Sequence, residues 1–242
     1  LIPVLLWSAW GFSARWRVIA ILICLGFCFN IWLTFNRSAM AGAIGALVAV
    51  CLVIAWGHGR KFATWLVVAT GSVLVVGLFA YLDYRRGMNP ACHAGVENLL
   101  PAWLIGCIRQ EMWMFSLELM REFPWFGLGI NTINFQPGAD QLMPGSGGLN
   151  FISGHPHNWA IEVLTETGII GFTSLVILIV VMFAGLVRGY VRDHNPAILA
   201  AIAVAAGYWC SGLFNFSFWS MWWQASFMLL IVFCMAANEP AA

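Results

Sequence analysis

The chain has 242 residues, 62% of them hydrophobic and only 9% charged, where a soluble domain carries about a quarter charged residues. Its 11 basic and 10 acidic side chains leave a net charge of +1, which excludes the basic face that nucleic-acid binding needs. So apolar a chain, with 14 tryptophans and 18 phenylalanines, has the composition of a protein with aromatic belts at two lipid interfaces.

The first apolar run, 1–12, is too short to cross a bilayer, which takes about 20 residues. It lacks the charged start and small-residue cleavage site of a signal peptide. It reads as the tail of a helix that begins earlier, so the chain is expected to be the C-terminal part of a longer membrane protein. Further apolar runs follow at 18–35, 39–56, 62–82, 161–187, 197–213 and 218–236. Most are close to the length of a spanning segment. Lipid offers the backbone no hydrogen-bond partners, so these runs are expected as helices. Gly42, Gly45 and Gly71 allow close helix contact within them.

Lysine and arginine set the orientation. Arg15 and Arg17 precede the first full span, Arg60 and Lys61 lie between the second and third, and Arg188 and Arg192 lie between the fourth and fifth. Counting crossings puts all these loops on one face, which the positive-inside rule makes cytoplasmic. The opposite face receives Asn36, Arg37 and Ser38, the long segment 83–158, and the short link 214–217. The long segment exceeds an idle connection. Within it, Ile108, Met112, Phe115 and Leu119 recur at helical spacing, while Arg109, Glu111, Glu118 and Glu122 leave other faces polar. That pattern predicts a short amphipathic helix on the membrane surface or capping the bundle, ended by Pro124. "PGADQLMPGSGG", 137–148, reads as flexible loop. The predicted architecture is an all-α polytopic membrane protein, a helical bundle with one large outer loop. It divides into membrane helices over 1–82 (the first truncated), the loop over 83–158, and three C-terminal membrane helices over 159–242.

Seven cysteines are present. Cys24, Cys28, Cys51, Cys210 and Cys234 fall in apolar spans and read as small buried hydrophobes. Cys92 and Cys107 share the outer segment and have the spacing to pair if that side is oxidising, though nothing requires it.

Polar side chains gather at the outer mouth. Arg37 taken alone reads as an interfacial arginine snorkelling toward headgroups, but it breaks the inside bias of the other short loops. Arg109 alone reads as a solvated helix charge. In "HPHNWAIEVLTETGIIGF", 155–172, Pro156 suits a first helical turn with His155 as its cap. Asn158, Glu162 and Glu166 follow at four-residue spacing and share one face. The helix dipole accounts for acids there, but not for His155 and His157 beside Asn158. H-x-H occurs in metal sites, yet no third ligand is evident and there is no HExxH, so no metal is predicted.

The stretch 155–172 resembles the H-N-x-x-(I/L)-E-x-x-x-E-x-G-x-x-G signature of the O-antigen ligase and Wzy-type polymerase superfamily. "FNRSAMAGAIGALVAV" is similar to that family's S-R-S segment, with Asn36 where serine is more common. "RQEMWMFSLELMREFPWFGLGINTINF" is similar to its R-x-x-x-W helix followed by P-x-x-G-x-G and an aromatic, here Arg109, Trp113, Pro124, Gly127, Gly129 and Phe135. The resemblance covers essentially the whole chain, which would be the C-terminal half of such a protein. It implies transfer of a glycan from an undecaprenyl-diphosphate carrier to a hydroxyl acceptor at the periplasmic face of the bacterial inner membrane. The transfer it implies is inverting and uses neither metal nor cofactor. The acceptor is lipid A–core for a ligase, another carrier-linked glycan for a polymerase, and a protein for some relatives.

That chemistry suits the residues. Arginine binds phosphate oxygens through a bidentate fork and stays charged, so Arg37 and Arg109 are the expected diphosphate clamp. Histidine, with an ordinary pKa near 6.5, suits deprotonation of the acceptor hydroxyl, and His157 is the expected base. His155, Asn158, Glu162 and Glu166 are expected to orient it or bind sugar hydroxyls. Trp113, with Trp103 and Trp125, is a candidate for stacking on sugar rings, against a plain role as interfacial anchor. A transporter or flippase would place charges near mid-membrane on discontinuous helices, whereas here they collect at the mouth. A non-catalytic scaffold would leave the histidines incidental.

Overall fold

The computed structural model describes residues 14–34, 36–57, 105–143 and 146–236, with isolated positions 59, 71, 73 and 77. These residues form helices α1 (Ala14–Thr34), α2 (Arg37–Gly57), α3 (Cys107–Glu122), α4 (Trp159–Asp193), α5 (Pro196–Ser211) and α6 (Met221–Ala236). Short 3-10 turns cover Ile133–Phe135 and Gly212–Phe214. Among the described residues there is no strand; Leu142 and Asn150 form an isolated antiparallel bridge. Helices α1, α2, α4 and α5 (the last with its following turn) are long and apolar enough to cross a membrane, and α6 is a shorter apolar helix. The protein is an all-helical, multi-pass membrane protein. The expected helix tail at 1–12 lies outside the described residues, as do Arg60, Lys61, Cys92 and Trp103 and, apart from positions 71, 73 and 77, the expected span at 62–82.

The chain divides into two compact units. The first comprises Leu1–Thr70, Leu178–Phe214 and Met221–Ala242. At its centre α5 buries Ala200, Ala201, Val204 and Ala205 against Phe227 and Cys234 of α6. Ile198 and Ile202 pack with Val53 of α2 and Tyr190 of α4. Alanine on several faces of α5 lets neighbours approach closely, the device membrane helices use where water gives no hydrophobic drive. The α2–α5 seam carries this furthest. A Cβ added to Gly42 would lie 2.9 Å from the Gly207 carbonyl oxygen, and one on Gly45 would lie 2.7 Å from Cys210 Cβ. At the end of this seam buried Ser38 Oγ donates to Ser211 O at 2.9 Å and meets Ser211 Oγ at 2.7 Å. Away from the seam many large apolar side chains are exposed, among them Leu22, Leu25 and Phe29 of α1 and Leu229 and Val232 of α6. Capping sets the helix starts. Asn36 Oδ1 accepts from Ala39 N at 3.0 Å, and Asn195 Oδ1 accepts from Ala197 N at 2.8 Å with Pro196 opening α5. Asparagine and serine are near-equal N-caps, which gives the physical reason that Asn36 stands where the resembling family has serine.

The second unit comprises Gly71–Ile177 and Asn215–Ser220. Helix α3 forms over the expected residues, and the residues it buries inside the protein include polar ones. Cys107, Gln110, Glu111, Met112, Trp113 and Ser116 are buried, while Ile108, Phe115 and Leu119 are only half-buried. The reason is close packing against α4. The small Ser116 lets the backbones approach, and its carbonyl accepts from Thr165 Oγ1 at 3.1 Å. Cys107 is disulfide-bonded. The stretch 137–148 is folded chain where described. Met143 N donates to Leu149 O at 2.9 Å, Phe151 N to Gln141 O at 3.0 Å and Ile152 N to Ala139 O at 2.9 Å, over buried Ala139, Met143 and Ile152.

Helix α4 is interrupted where the sequence reads as continuous. Gly168 has φ 66° and ψ −172°, which is not helical. There the segment after α3 is stitched to α4 in both directions. Leu128 N donates to Thr165 O (3.1 Å) and Gly129 N to Glu166 O (2.9 Å). In return Ile169 N donates to Pro124 O (2.8 Å) and Ile170 N to Trp125 O (3.3 Å). Both glycines at the crossing, Gly127 (φ 70°) and Gly168, have positive φ. A Cβ on Gly127 would come within 2.5 Å of Glu166 O, and one on Gly168 within 2.5 Å of Phe126 N. Only glycine fits there on both counts. The span expected from residue 218 starts instead at Met221, because residues 217–219 bond to α4 (below).

Candidate functional site

The site builds outward from the turn that precedes α4. Helix α4 starts at Trp159, not at Pro156, and Asn158 rather than His155 is its cap. Asn158 Oδ1 accepts from Ala160 N at 3.0 Å and Ile161 N at 3.3 Å. The expected cap fails because His157 has φ 56°, a left-handed conformation that costs a non-glycine residue about 1–2 kcal/mol and cannot belong to a helix. Two contacts hold the turn in that shape. Trp113 Nε1 donates to the carbonyl of buried Pro156 at 2.9 Å. His157 N donates to His155 Nδ1 at 3.1 Å, and the two imidazoles meet edge-on with centroids 4.2 Å apart.

The electrostatics follow from that geometry. His155 Nδ1 accepts a backbone N–H, so its lone pair is there and the neutral ring carries its proton on Nε2. Burial, then His157, then Arg109 push the His155 pKa down to about 4. Burial first and Arg109 second also lower that of His157. Both rings are therefore neutral at neutral pH, with one guanidinium acting on both. His157 Nδ1 is buried and has no hydrogen-bond partner among the described residues. It is an unspent polar atom beside the engaged His155 Nδ1 and Trp113 Nε1.

The two glutamates are engaged in full view. Glu162 and Glu166 are about 1% exposed. Glu162 Oε1 accepts from Ser217 Oγ at 2.6 Å and Oε2 from Phe218 N at 2.7 Å. Glu166 Oε1 accepts from Thr132 N (3.0 Å) and Ile133 N (3.1 Å). Its Oε2 accepts from Asn131 N (2.7 Å) and from Trp219 Nε1. The shared helix face thus fastens the 131–133 turn and the 215–220 link to α4. Ser217, Phe218 and Trp219 were not singled out by sequence reasoning; the apolar "FNFSFWS" reads as a short link, and only its serine and tryptophan donors hint at a role.

Of the residues the sequence puts forward, Arg109, Trp113, His155, His157, Asn158, Glu162 and Glu166 all belong to the second unit. Hydrogen bonds or electrostatic coupling connect Arg109, His155, His157 and, through Pro156, Trp113. Arg37 is the first residue of α2, half-buried and in the first unit. No cluster of three or more His, Cys, Asp or Glu that could hold a metal occurs among the described residues. The arrangement offers a fixed cation, a neutral imidazole with an unpartnered nitrogen among the described residues, and a rigid frame. Such groups can bind an anionic leaving group and accept a proton.

A Rickettsia conorii protein that carries the provisional name polysaccharide ligase is 24% identical over 139 residues, 54% of this chain and 32% of that protein. The chain therefore spans about a third of that relative's length. No solved structure matches. The family model described as O-antigen ligase matches residues 19–176, which takes in the Asn36 cap, the α3 helix, the glycine crossing and the histidine turn, and the chain belongs to that family.

Proposed function

We propose that the protein is a metal-independent, inverting glycosyltransferase of the inner membrane, working at the periplasmic face. It moves a glycan from an undecaprenyl-diphosphate carrier to a hydroxyl of lipid A–core, in lipopolysaccharide biosynthesis. The observation that carries this reading is the pairing of a permanent cation, Arg109, with neutral His157, whose Nδ1 has no partner among the described residues. Arg109 binds the diphosphate, the role the sequence also proposes for Arg37. The acceptor oxygen attacks the anomeric carbon from the opposite side; the new C–O bond forms as the bond to the diphosphate breaks and its electron pair leaves with the phosphate oxygen. The hydroxyl proton passes to His157. His155 fixes the His157 backbone, Asn158 starts the helix behind it, and Glu162, Glu166 and Trp113 hold the surrounding segments.

Family membership and the ligase name of the relative support this reading. The test is reconstitution of the full-length protein with a carrier-linked glycan and lipid A–core. Arg109→Ala and His157→Ala are each expected to lower transfer by about 10²–10³-fold with normal membrane insertion, and Arg37→Ala is expected to weaken it similarly. Full activity in the Arg109 and His157 variants would remove the site. Glycan lengthening while still on the carrier, with lipid A–core left unmodified, would make the protein a polymerase.

A further inference from the structure

The segment that follows α3 is the least explicable part of the second unit as a water-facing loop. Phe123, Trp125, Phe126, Ile130 and Phe135 all expose large apolar side chains, Phe126 and Phe135 at 77%. Isolated exposed apolar residues are ordinary, but a contiguous apolar patch marks a surface that meets something apolar. The chain itself indicates what. Pro124 and Trp125 accept hydrogen bonds from Ile169 and Ile170. Those are the first residues of the apolar stretch of α4 beyond its break, and they are themselves 40% and 48% exposed. The aromatic loop is therefore fixed, by main-chain bonds, at the level where the membrane-spanning part of α4 begins.

Much of the loop's backbone is bonded within the protein. Gly127, Leu128 and Gly129 N–H groups donate to Phe123 O, Thr165 O and Glu166 O. Asn131, Thr132 and Ile133 N–H groups donate to the Glu166 carboxylate. The carbonyls of Phe123, Pro124, Trp125 and Gly129 all accept. Irregular chain enters the membrane boundary only when its polar groups are satisfied inside the protein, and water at a free loop demands no such economy. Exposed Arg121 and Glu122 stand just before the patch, where a water edge would lie.

We propose that residues 123–135 form a membrane-seated loop. Trp125, Phe126 and Ile130 insert into the bilayer interface beside the start of the spanning part of α4, and the lipid surface is their partner. This inference does not depend on the proposed transfer reaction. The test uses the full-length protein in its native membrane, with the photoreactive p-benzoylphenylalanine placed at Phe126 or Ile130, and at exposed Asp140 as the water-facing comparison. Irradiation is expected to add the mass of one phospholipid at Phe126 and Ile130 and none at Asp140. Cross-links from Phe126 and Ile130 to protein alone, no adduct at either, or lipid adducts in equal yield at Asp140 would each overturn the proposal.

Discussion

Protonating His155 would remove the acceptor that holds its neighbour. Its Nδ1 receives the His157 N–H, and a charged imidazole has only donors. The folded pKa of about 4 lies below the ordinary 6.5, so folding favours the neutral ring. The stability tied to it is complete above the ordinary value and is lost as pH falls from 6.5 toward about 4. Two outcomes follow. In the isotope-labelled protein the His155 ring resonances stay neutral until close to pH 4, and the His157 ring also titrates below the ordinary histidine range. Transfer activity keeps its neutral-pH level through mild acid and falls below it, and the His155→Asn variant, whose amide oxygen accepts at any pH, loses the part of that fall that His155 causes. A His155 titration near 6.5 would contradict the geometry. Glu166 and Glu162 give a second contrast between like residues. Glu166 receives only N–H groups, so Glu166→Gln turns an amide donor toward other donors and strands at least one pair, at about 1–3 kcal/mol for each stranded group. Glu162 meets a hydroxyl and one N–H, and a glutamine can donate to the former while accepting from the latter. Thermal unfolding in detergent is expected to show a clear drop in Tm for Glu166→Gln and a small one for Glu162→Gln. Equal drops would show that the donor count does not govern.

At the scale of elements, the crossing of the 124–129 segment with α4 decides whether the second unit closes. A methyl group at Gly127 or Gly168 meets main chain, which cannot swing aside as a flexible side chain can. Each substitution also incurs about 1–2 kcal/mol for positive φ. Gly127→Ala and Gly168→Ala are therefore expected to cost several kcal/mol each, read as loss of folded protein in detergent. Gly147→Ala, in open space though also at positive φ, is expected to cost only the backbone term. The helices themselves were legible as long apolar runs, because length and hydropathy are local properties. The break in α4 was not, because a glycine in an apolar run is ordinary and its stitching partner lies far upstream. Which face of α3 packs inward is not given by periodicity, for a related reason. Periodicity marks which residues are apolar, but close approach at Ser116 and the hydrogen bonds of Trp113 and Gln110 decide which face turns inward. The histidine turn could be found by its motif, while its internal hydrogen bond depends on a positive φ that no pattern of residue types records.

For the whole molecule, the question is which ends of the helices share a side of the membrane. Arg188 and Arg192 lie in the last turns of α4, and a two-residue turn at His194 and Asn195 leads into α5. The Glu162 and Glu166 carboxylates, near the other end of α4, bind the 215–220 link that joins α5 to α6. Within the first unit, residues 178–193 of α4 pack against α5 across that short turn, and the two therefore run antiparallel. The positive-inside rule predicts the arginine end in the cytoplasm, and the proposed transfer requires the histidine turn to face the opposite side. Reporter fusions test this directly in the full-length protein. A fluorescent-protein fusion after Asp193 is expected to be bright and a phosphatase fusion there inactive, whereas a phosphatase inserted at Gly147, an exposed loop tip, is expected to be active. The reverse pattern would put the imidazoles in the cytoplasm, where the proposed periplasmic reaction could not occur.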